Sequence, residues 1–157
     1  MRLPSGITGF YNTRETRPPS LPAKEIKKQC YAVIQHAGAK VISFSKATYP
    51  KNYYTICLQL NNKQLYMLIN EHYPFAAFAT KLEDGDIVFT DCPPLFEACT
   101  PYFTVLSQEV LLSPINFRDG LLTTRFQLDN ELTEVEYEQL MYWNPTILGE
   151  IIFNSWD

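Results

Sequence analysis

Long apolar runs are missing from this sequence. No stretch reaches the roughly 18 apolar residues that a membrane-spanning helix needs. The segment 1–19 also lacks an apolar run of signal-peptide length. We therefore expect a cytoplasmic protein with no membrane partner.

An excess of basic residues is missing too. The chain has 13 Lys and Arg residues against 17 Asp and Glu residues, and its formal net charge is −4. Proteins that bind nucleic acid normally present a basic stripe, so we expect no nucleic-acid partner. A basic protein partner is compatible with this charge.

Motifs for metal, phosphate or nucleophile chemistry are also lacking. The two histidines, His36 and His72, belong to no zinc-binding spacing, and the six glycines form no phosphate-binding loop. A serine-hydrolase elbow is not found either. The four cysteines form no close pairs, so we expect reduced thiols, and we expect neither metal nor cofactor.

One weak grouping keeps an enzyme or a small-ligand binder open. Cys92 beside Pro93 could meet His72 in space, which is the minimum for a thiol nucleophile. With Glu150, these residues would mark a pocket between a sheet and the C-terminal helices. Because no local motif accompanies Cys92, a small thiol buried in a loop is the favoured interpretation.

The composition is that of one folded unit with many aromatic residues. The 157 residues are 46% hydrophobic and 14% aromatic, and they include ten Tyr and ten Phe. This length is typical of one domain, so we predict a single domain over 1–157. Residues 1–22 are rich in Pro and Gly and predict an irregular arm that Phe10 and Tyr11 attach to the body.

The N-terminal half alternates in the manner of an α+β fold. Apolar residues at helical spacing predict a helix between Pro22 and Gly38. Period-two alternation then predicts strands near 41–45, 53–60, 65–69, 75–81 and 86–90. Turns at 61–62 and 84–85 would join them as hairpins. We predict an antiparallel meander of about five strands, packed with the N-terminal helix and C-terminal helices.

One face of this sheet is apolar without an obvious cover. It contains Tyr53, Cys57, Tyr66 and Leu68. Either the arm and the C-terminal helices cover this face, or a partner protein does.

The C-terminal half is less regular in pattern. We predict a helix from 95 to about 106, which Pro101 interrupts, and either a hairpin around 118–120 or a loop within 109–127. Thr133 and Glu136 predict a capping box for a helix that ends near Tyr142. Asn144 and Pro145 predict the start of a last helix through 151–153.

Acidic and tyrosine side chains are the candidate partner-binding groups. We select Tyr53, Tyr66, Glu131, Glu134 and Glu138, because carboxylates would pair with a basic partner and exposed rings make binding hot spots. The alternatives are a solvated helix face for the carboxylates and packed rings for the tyrosines. Trp143, Phe153 and Trp156 are expected to anchor the core.

The two ends of the chain resemble those of a group of small Gram-positive bacterial proteins. The matching segments are RLPSGITGFY at 2–11, YWNP at 142–145 and GEIIFNSWD at 149–157, with further likeness at 53–54 and 72–75. Proteins of this group look similar to immunity proteins kept beside secreted polymorphic toxins. The resemblance implies a bacterial protein with an immunity-like role, but it assigns a role to no residue.

Three functions remain open from the sequence. The leading hypothesis is a non-enzymatic protein-binding module, and in its most specific form an immunity protein that occludes the active site of a basic toxin. The second is a small-ligand binder or enzyme that uses the pocket described above. The third is a homo-oligomeric scaffold.

Overall fold

A computed structural model describes residues 2–12, 14, 17–83, 86–118, 121–124 and 129–157. The helices of these residues are α1 (Ala23–His36), α2 (Pro93–Cys99), α3 (Gln108–Leu111), α4 (Glu134–Trp143) and α5 (Gly149–Ile152). The strands are β1 (Arg2–Leu3), β2 (Lys40–Ser45), β3 (Tyr53–Leu60), β4 (Lys63–Asn70), β5 (Phe75–Glu83), β6 (Asp86–Thr90), β7 (Thr104–Val105), β8 (Ile115–Arg118), β9 (Leu121–Thr124) and β10 (Asp129–Asn130). The predicted α+β class with an N-terminal helix is confirmed.

The central sheet is the predicted antiparallel meander, with the strand order β2-β3-β4-β5-β6. The short strand β7 adds to it by pairing with β5 in parallel. The hairpin at 61–62 is confirmed, because Leu60 pairs with Lys63 across Asn61 and Asn62. Both Asn residues have positive φ, at 52° and 62°, which Asn tolerates better than most residues. The predicted turn at Asp84–Gly85 lies outside the described residues.

Helices α1 and α2 cover one face of the sheet. The predicted first helix is confirmed, and its buried residues are Ile26, Cys30, Val33 and Ile34. They pack in one apolar cluster with Leu95 and Cys99 of α2 and with the alternate side chains of β3 and β4. Gly38 follows the helix at φ +77°, a conformation that suits glycine after a helix C-terminus.

The arm and the C-terminal segment cover the other face. Strand β1 pairs with β10 in parallel, and Leu3 and Ile7 of the arm are fully buried. They join the cluster that contains Leu68, Ile151 and Phe153. The cover of this sheet face therefore comes from the chain itself.

The C-terminal half departs from three predictions. Helix α2 ends at Cys99 and does not reach 106, because a proline at 101 cannot donate the hydrogen bond that an α-helix interior requires. Asn144 is the C-cap of α4, with φ 49° and ψ 57°, and does not begin the last helix. That helix, α5, spans only Gly149–Ile152.

The ambiguous stretch 109–127 contains both helix and strand. Helix α3 occupies its start, and β8 pairs with β9 in antiparallel fashion, so that Arg118 lies opposite Leu121. This matches the hairpin alternative, although its turn at Asp119–Gly120 lies outside the described residues. None of the helices in the described ranges is long and apolar enough to cross a membrane.

Three buried asparagines join the two chain ends to the sheet. The Nδ2 groups of Asn52 and Asn70 each donate to the carbonyl oxygens of Ile7 and Ile152, at 2.8–3.1 Å. Asn154 donates from its Nδ2 to the Thr8 carbonyl at 3.2 Å. These three residues, the asparagine cluster, satisfy backbone carbonyls that no regular strand pairs.

A buried carboxylate holds the arm against α4. Glu136 is fully buried, and its oxygens accept from the backbone N–H of Gly6 at 2.7 Å and from that of Thr8 at 3.0 Å. The Thr8 hydroxyl donates to the same carboxylate at 2.5 Å. Thr133 completes the predicted capping box. One residue therefore caps a helix and fixes the arm.

Candidate protein-binding surface and cleft

The outward side of α4 combines carboxylates with large apolar side chains. Glu134 and Glu138 are exposed, and Met141 and Tyr142 follow with exposed fractions of 64% and 78%. Their spacing of four, three and one residues puts all four on one side of the helix. Glu136 and Leu140 point inward and are buried. We call the four exposed residues the α4 stripe.

Glu131 lies just before α4 and is partly neutralised. Its Oε1 accepts from Arg2 Nη1 at 2.9 Å, and both side chains are more than half exposed. An exposed ion pair of this kind contributes little to stability. Glu131 therefore remains accessible, but it offers less unpaired charge than Glu134 and Glu138.

The two candidate tyrosines are not part of the α4 stripe. Tyr53 is only 1% exposed. Its ring packs edge-on against the Phe153 ring, and the two ring centroids are 6.0 Å apart. Burial raises the pKa of the Tyr53 hydroxyl, and a hydrogen bond with Ser155 partly opposes that shift. Its ring packs in the core and also borders the cleft described below, and its selection as a partner-binding residue stays a prediction.

Tyr66 is half-buried on the sheet. It lies opposite Cys57 and Ala79 in the neighbouring strands, and its hydroxyl accepts from Gln64 Nε2 at 2.9 Å. Within the described ranges, no hydrogen bond or ring contact joins it to α4. Tyr66 and the acidic candidates therefore do not form one site.

An open cleft of about 800 Å³ lies between the sheet and the C-terminal segment. Trp143 and Trp156, the two tryptophans of the chain, both line it, and their rings are parallel with centroids 6.2 Å apart. Phe153 and Trp156 are also buried in the core, as predicted. Gly149 permits the close approach here, because a Cβ at that position would overlap the Phe89 ring.

The three residues expected to mark a pocket lie apart. Glu150 lines the large cleft, whereas Cys92 is buried in the cluster beneath α1 and α2. His72 borders a smaller cleft of about 270 Å³ beside the arm. Its Nδ1 lies 2.7 Å from the Pro19 carbonyl, and its Nε2 lies 3.6 Å from Glu71 Oε2. The structure brings no two of these three residues together.

The thiols are buried, and two of them, Cys30 and Cys99, are weakly acidic. All four cysteines are free and buried. Burial, with the neighbouring Cys99 as a smaller cause, raises the pKa of Cys30 to about 12. Burial and the neighbouring Cys92 raise the pKa of Cys99 to about 12 as well. Thiols of this kind are poor nucleophiles at neutral pH. Among the described residues, no group of three or more potential ligands could hold a metal ion.

Met141 and Tyr142 were missed by the sequence-based selection, although a signal for them exists. Once the capping box fixes the start of α4, positions 134, 138, 141 and 142 fall on one side by helical periodicity. The cleft was expected only in outline, as a pocket between the sheet and the C-terminal helices that Glu150 would mark, since its walls come from β6, α4, α5 and the residues after α5. Only the folded chain brings them together.

Comparisons of the chain with known protein families, with curated proteins and with solved structures found no match. The resemblance of the two chain ends to an immunity-like group therefore stays a prediction.

Proposed function

We propose that this chain is a non-enzymatic protein-binding module that recognises a basic protein through the α4 stripe. The observation that supports the proposal is the direct succession of exposed carboxylates by Met141 and Tyr142. Solvated acidic helix faces are common. Two adjacent large apolar side chains, 64% and 78% exposed, distinguish this face from an ordinary solvated one.

The charge distribution supports a basic partner. The 32 residues after Arg125 contain seven carboxylates and no Lys or Arg. They therefore contribute −7, while the preceding 125 residues contribute +3 from 13 basic and 10 acidic side chains. Complementary charge accelerates encounter and rejects partners of the wrong sign. An overall charge of −4 thus understates how acidic this C-terminal part of the sequence is.

The apolar pair would supply the contact that persists after encounter. Met and Tyr are enriched at protein interfaces, and truncation of a central aromatic anchor often removes much of the binding free energy. The Tyr142 ring is supported by the Trp143 ring, which it contacts edge-on with ring centroids 5.2 Å apart. The Tyr142 side chain is therefore partly ordered before binding, which lowers the conformational entropy that is lost when a partner binds.

The most specific form of the proposal is an immunity protein. A basic toxin, such as a nuclease that must bind phosphates, would present a cationic groove that the α4 stripe could occlude. The resemblance of 2–11 and 149–157 to an immunity-like group supports this form. A gene for a large secreted toxin beside the coding gene would strengthen it further.

The decisive experiment compares surface variants in partner capture. Tagged wild-type protein, a Met141→Ala/Tyr142→Ala variant and a Glu134→Lys/Glu138→Lys variant are incubated with extract of the source organism. Ile42→Ala/Phe96→Ala is the matched control, since both residues are exposed but lie away from α4. Unfolding midpoints check that every variant is folded.

The expected result is one protein that the wild type and the control retain and that both α4 variants lose. The purified partner should then bind the wild type with an affinity that falls as salt rises. Equal capture by the α4 variants, or failure of the wild type to retain any protein that the α4 variants lose, would refute the proposal.

A further inference from the structure

The large cleft has aromatic walls and a floor that the core holds in place. Phe89, Phe153 and Trp156 are buried side chains on its border, and Trp143 is half-buried beside them. Its volume of about 800 Å³ falls within the range of pockets that enclose small ligands. The cleft can therefore accept more than one side chain of a bound polypeptide.

The unpaired charge at the cleft is negative. Among the residues that the structure describes, three charged side chains line it, namely Lys81, Asp86 and Glu150. Lys81 Nζ lies 3.6 Å from Glu83 Oε2, so its charge has a nearby counterpart. Over the described part of the chain, neither Asp86 nor Glu150 takes part in an ion pair. Two carboxylates thus remain available at an aromatic surface.

Glu150 is oriented by Thr146, which lies just before α5. Its Oε2 accepts from the Thr146 backbone N–H at 3.2 Å, and its Oε1 accepts from the Thr146 hydroxyl at 3.2 Å. An ionised carboxylate offers about four acceptor positions, so each oxygen keeps one for a ligand. A ligand with two parallel N–H donors would match that arrangement.

The cleft continues from the α4 stripe. Tyr142 belongs to the stripe, its ring contacts that of Trp143, and Trp143 lines the cleft. A partner seated on Met141 and Tyr142 would therefore reach the cleft with its next residues.

We propose that the cleft binds an arginine side chain of the basic partner, with the guanidinium against the tryptophan rings and its N–H groups donating to Glu150. A guanidinium is planar, stacks on aromatic rings and pairs with carboxylates through two parallel hydrogen bonds. An anionic ligand would meet the unpaired carboxylates, and a neutral one would leave them without a countercharge. This assignment rests on the proposed function, but the cleft can be tested without the partner.

The test uses the two tryptophans as reporters. Because both line the cleft, its occupancy should shift the fluorescence and the indole N–H resonances of both together. Trp156 also borders the smaller cleft and Trp143 contacts Tyr142, so the Glu150→Gln variant is needed to assign the shifts to the large cleft. The probes are N-acetyl-arginine methylamide, the lysine analogue and the citrulline analogue, in which a neutral urea replaces the guanidinium. Each is titrated into wild-type protein, Glu150→Gln and Glu134→Gln, the last being a matched control outside the cleft.

The arginine probe should shift both indole signals, and the lysine probe should bind more weakly. We expect citrulline to bind about tenfold more weakly, since charge-assisted hydrogen bonds are lost. Glu150→Gln should weaken arginine binding by a similar factor, whereas Glu134→Gln should leave it unchanged. Equal binding of citrulline or lysine, no response to arginine, or no effect of Glu150→Gln would overturn the assignment.

The two proposals can fail separately. If the arginine probe binds as expected but both α4 variants still capture the partner, the cleft assignment holds and the α4 stripe is not the docking surface. If partner capture depends on the α4 stripe but the probe leaves both indoles unchanged, the docking surface holds and the cleft is not an arginine site.

Discussion

The two faces of the central sheet are covered in different ways. On one face, α1 and α2 bury a cluster of aliphatic, aromatic and thiol side chains. On the other, the cover is an arm, short strands and brief helices, and it includes the asparagine cluster and Glu136. Both faces are covered, but by different physical means.

The difference follows from backbone hydrogen bonding. A helix satisfies most of its own N–H and C=O groups, so its inner side needs only apolar residues. Irregular segments bring unpaired backbone groups into the core, and each of these needs a partner. Asn side chains both donate and accept, which explains why they occupy this face.

The outer surfaces of the two covers also differ in charge. Lys24, Lys27 and Lys28 are exposed on α1, whereas Glu134 and Glu138 are exposed on α4. The irregular side is thus the acidic side, and it also contains the exposed apolar pair. The irregular cover, which needs buried polar groups to satisfy its backbone, is therefore also the part of the molecule to which we assign partner binding.

The largest change in stability is expected when Glu136, the carboxylate that holds the arm, is replaced. Glu136→Gln replaces one acceptor oxygen by an N–H₂ group that faces the existing donors of Gly6, Thr8 or Thr133. Leaving buried donors unsatisfied should lower the free energy of unfolding by about 3 kcal/mol. Urea denaturation measures the change.

Glu134→Gln is the matched control on the same helix. Its side chain is exposed, so the loss should stay below about 0.5 kcal/mol. Hydrogen exchange at residues 6–8 should accelerate in Glu136→Gln and not in the control. Equal stability losses in the two variants would show that the irregular cover does not depend on this carboxylate.

The face covered by helices was largely predictable from the sequence. The spacing of Ile26, Cys30, Val33 and Ile34 identified the buried side of α1, and alternation identified the five main strands. These signals are local, since each depends on residues within one element. Apolar periodicity therefore sufficed wherever regular elements meet.

The other face was predictable only in outline. The capping box of Thr133 and Glu136 was found, but the contacts of Glu136 with Gly6 and Thr8 span about 130 residues. Asn144 was read as a helix start because Asn favours that position, yet Asn also tolerates the left-handed conformation that ends a helix. Nothing local distinguishes these two uses of Asn.

The candidate site divides along the same line. The carboxylates at 134 and 138 were identified because acidic side chains on a helix face are visible in sequence. The burial of Tyr53 could not be predicted, because it depends on Phe153, which is 100 residues away. The cleft likewise depends on the approach of the C-terminal segment to β6.

The pH dependence of stability in the alkaline range should test the face that α1 and α2 cover. Burial raises the pKa of Cys30 from 9.0 to about 12. Between these values the unfolded chain loses the thiol proton while the native protein keeps it. The contribution of the Cys30 thiol to the free energy of unfolding is therefore fully present below pH 9. Between pH 9 and about pH 12 it is lost as pH rises, by up to about 1.4 kcal/mol per pH unit.

Urea denaturation between pH 7 and pH 11 measures this slope for the wild type and Cys30→Ala. The variant lacks the titrating thiol, so its stability should fall less steeply above pH 9 even if it is lower at pH 7. Parallel profiles for the two proteins would mean that the Cys30 thiol does not remain protonated in the native core.

The smallest change in stability is expected at a buried serine on the irregular side. Ser113 is 1% exposed, and its Oγ is the buried side-chain polar atom without a hydrogen bond among the described residues. Ser113→Ala should raise the free energy of unfolding by about 0.5 kcal/mol, because it removes an unsatisfied group.

Ser107→Ala is the matched control, because it makes the same chemical change where the hydroxyl caps α3 and accepts from the Val110 backbone N–H. It should lower the free energy of unfolding by about 1 kcal/mol. Opposite signs in urea denaturation would show that buried polar groups stabilise this face only where they are paired, whereas losses in both variants would indicate that Ser113 has a partner in solution.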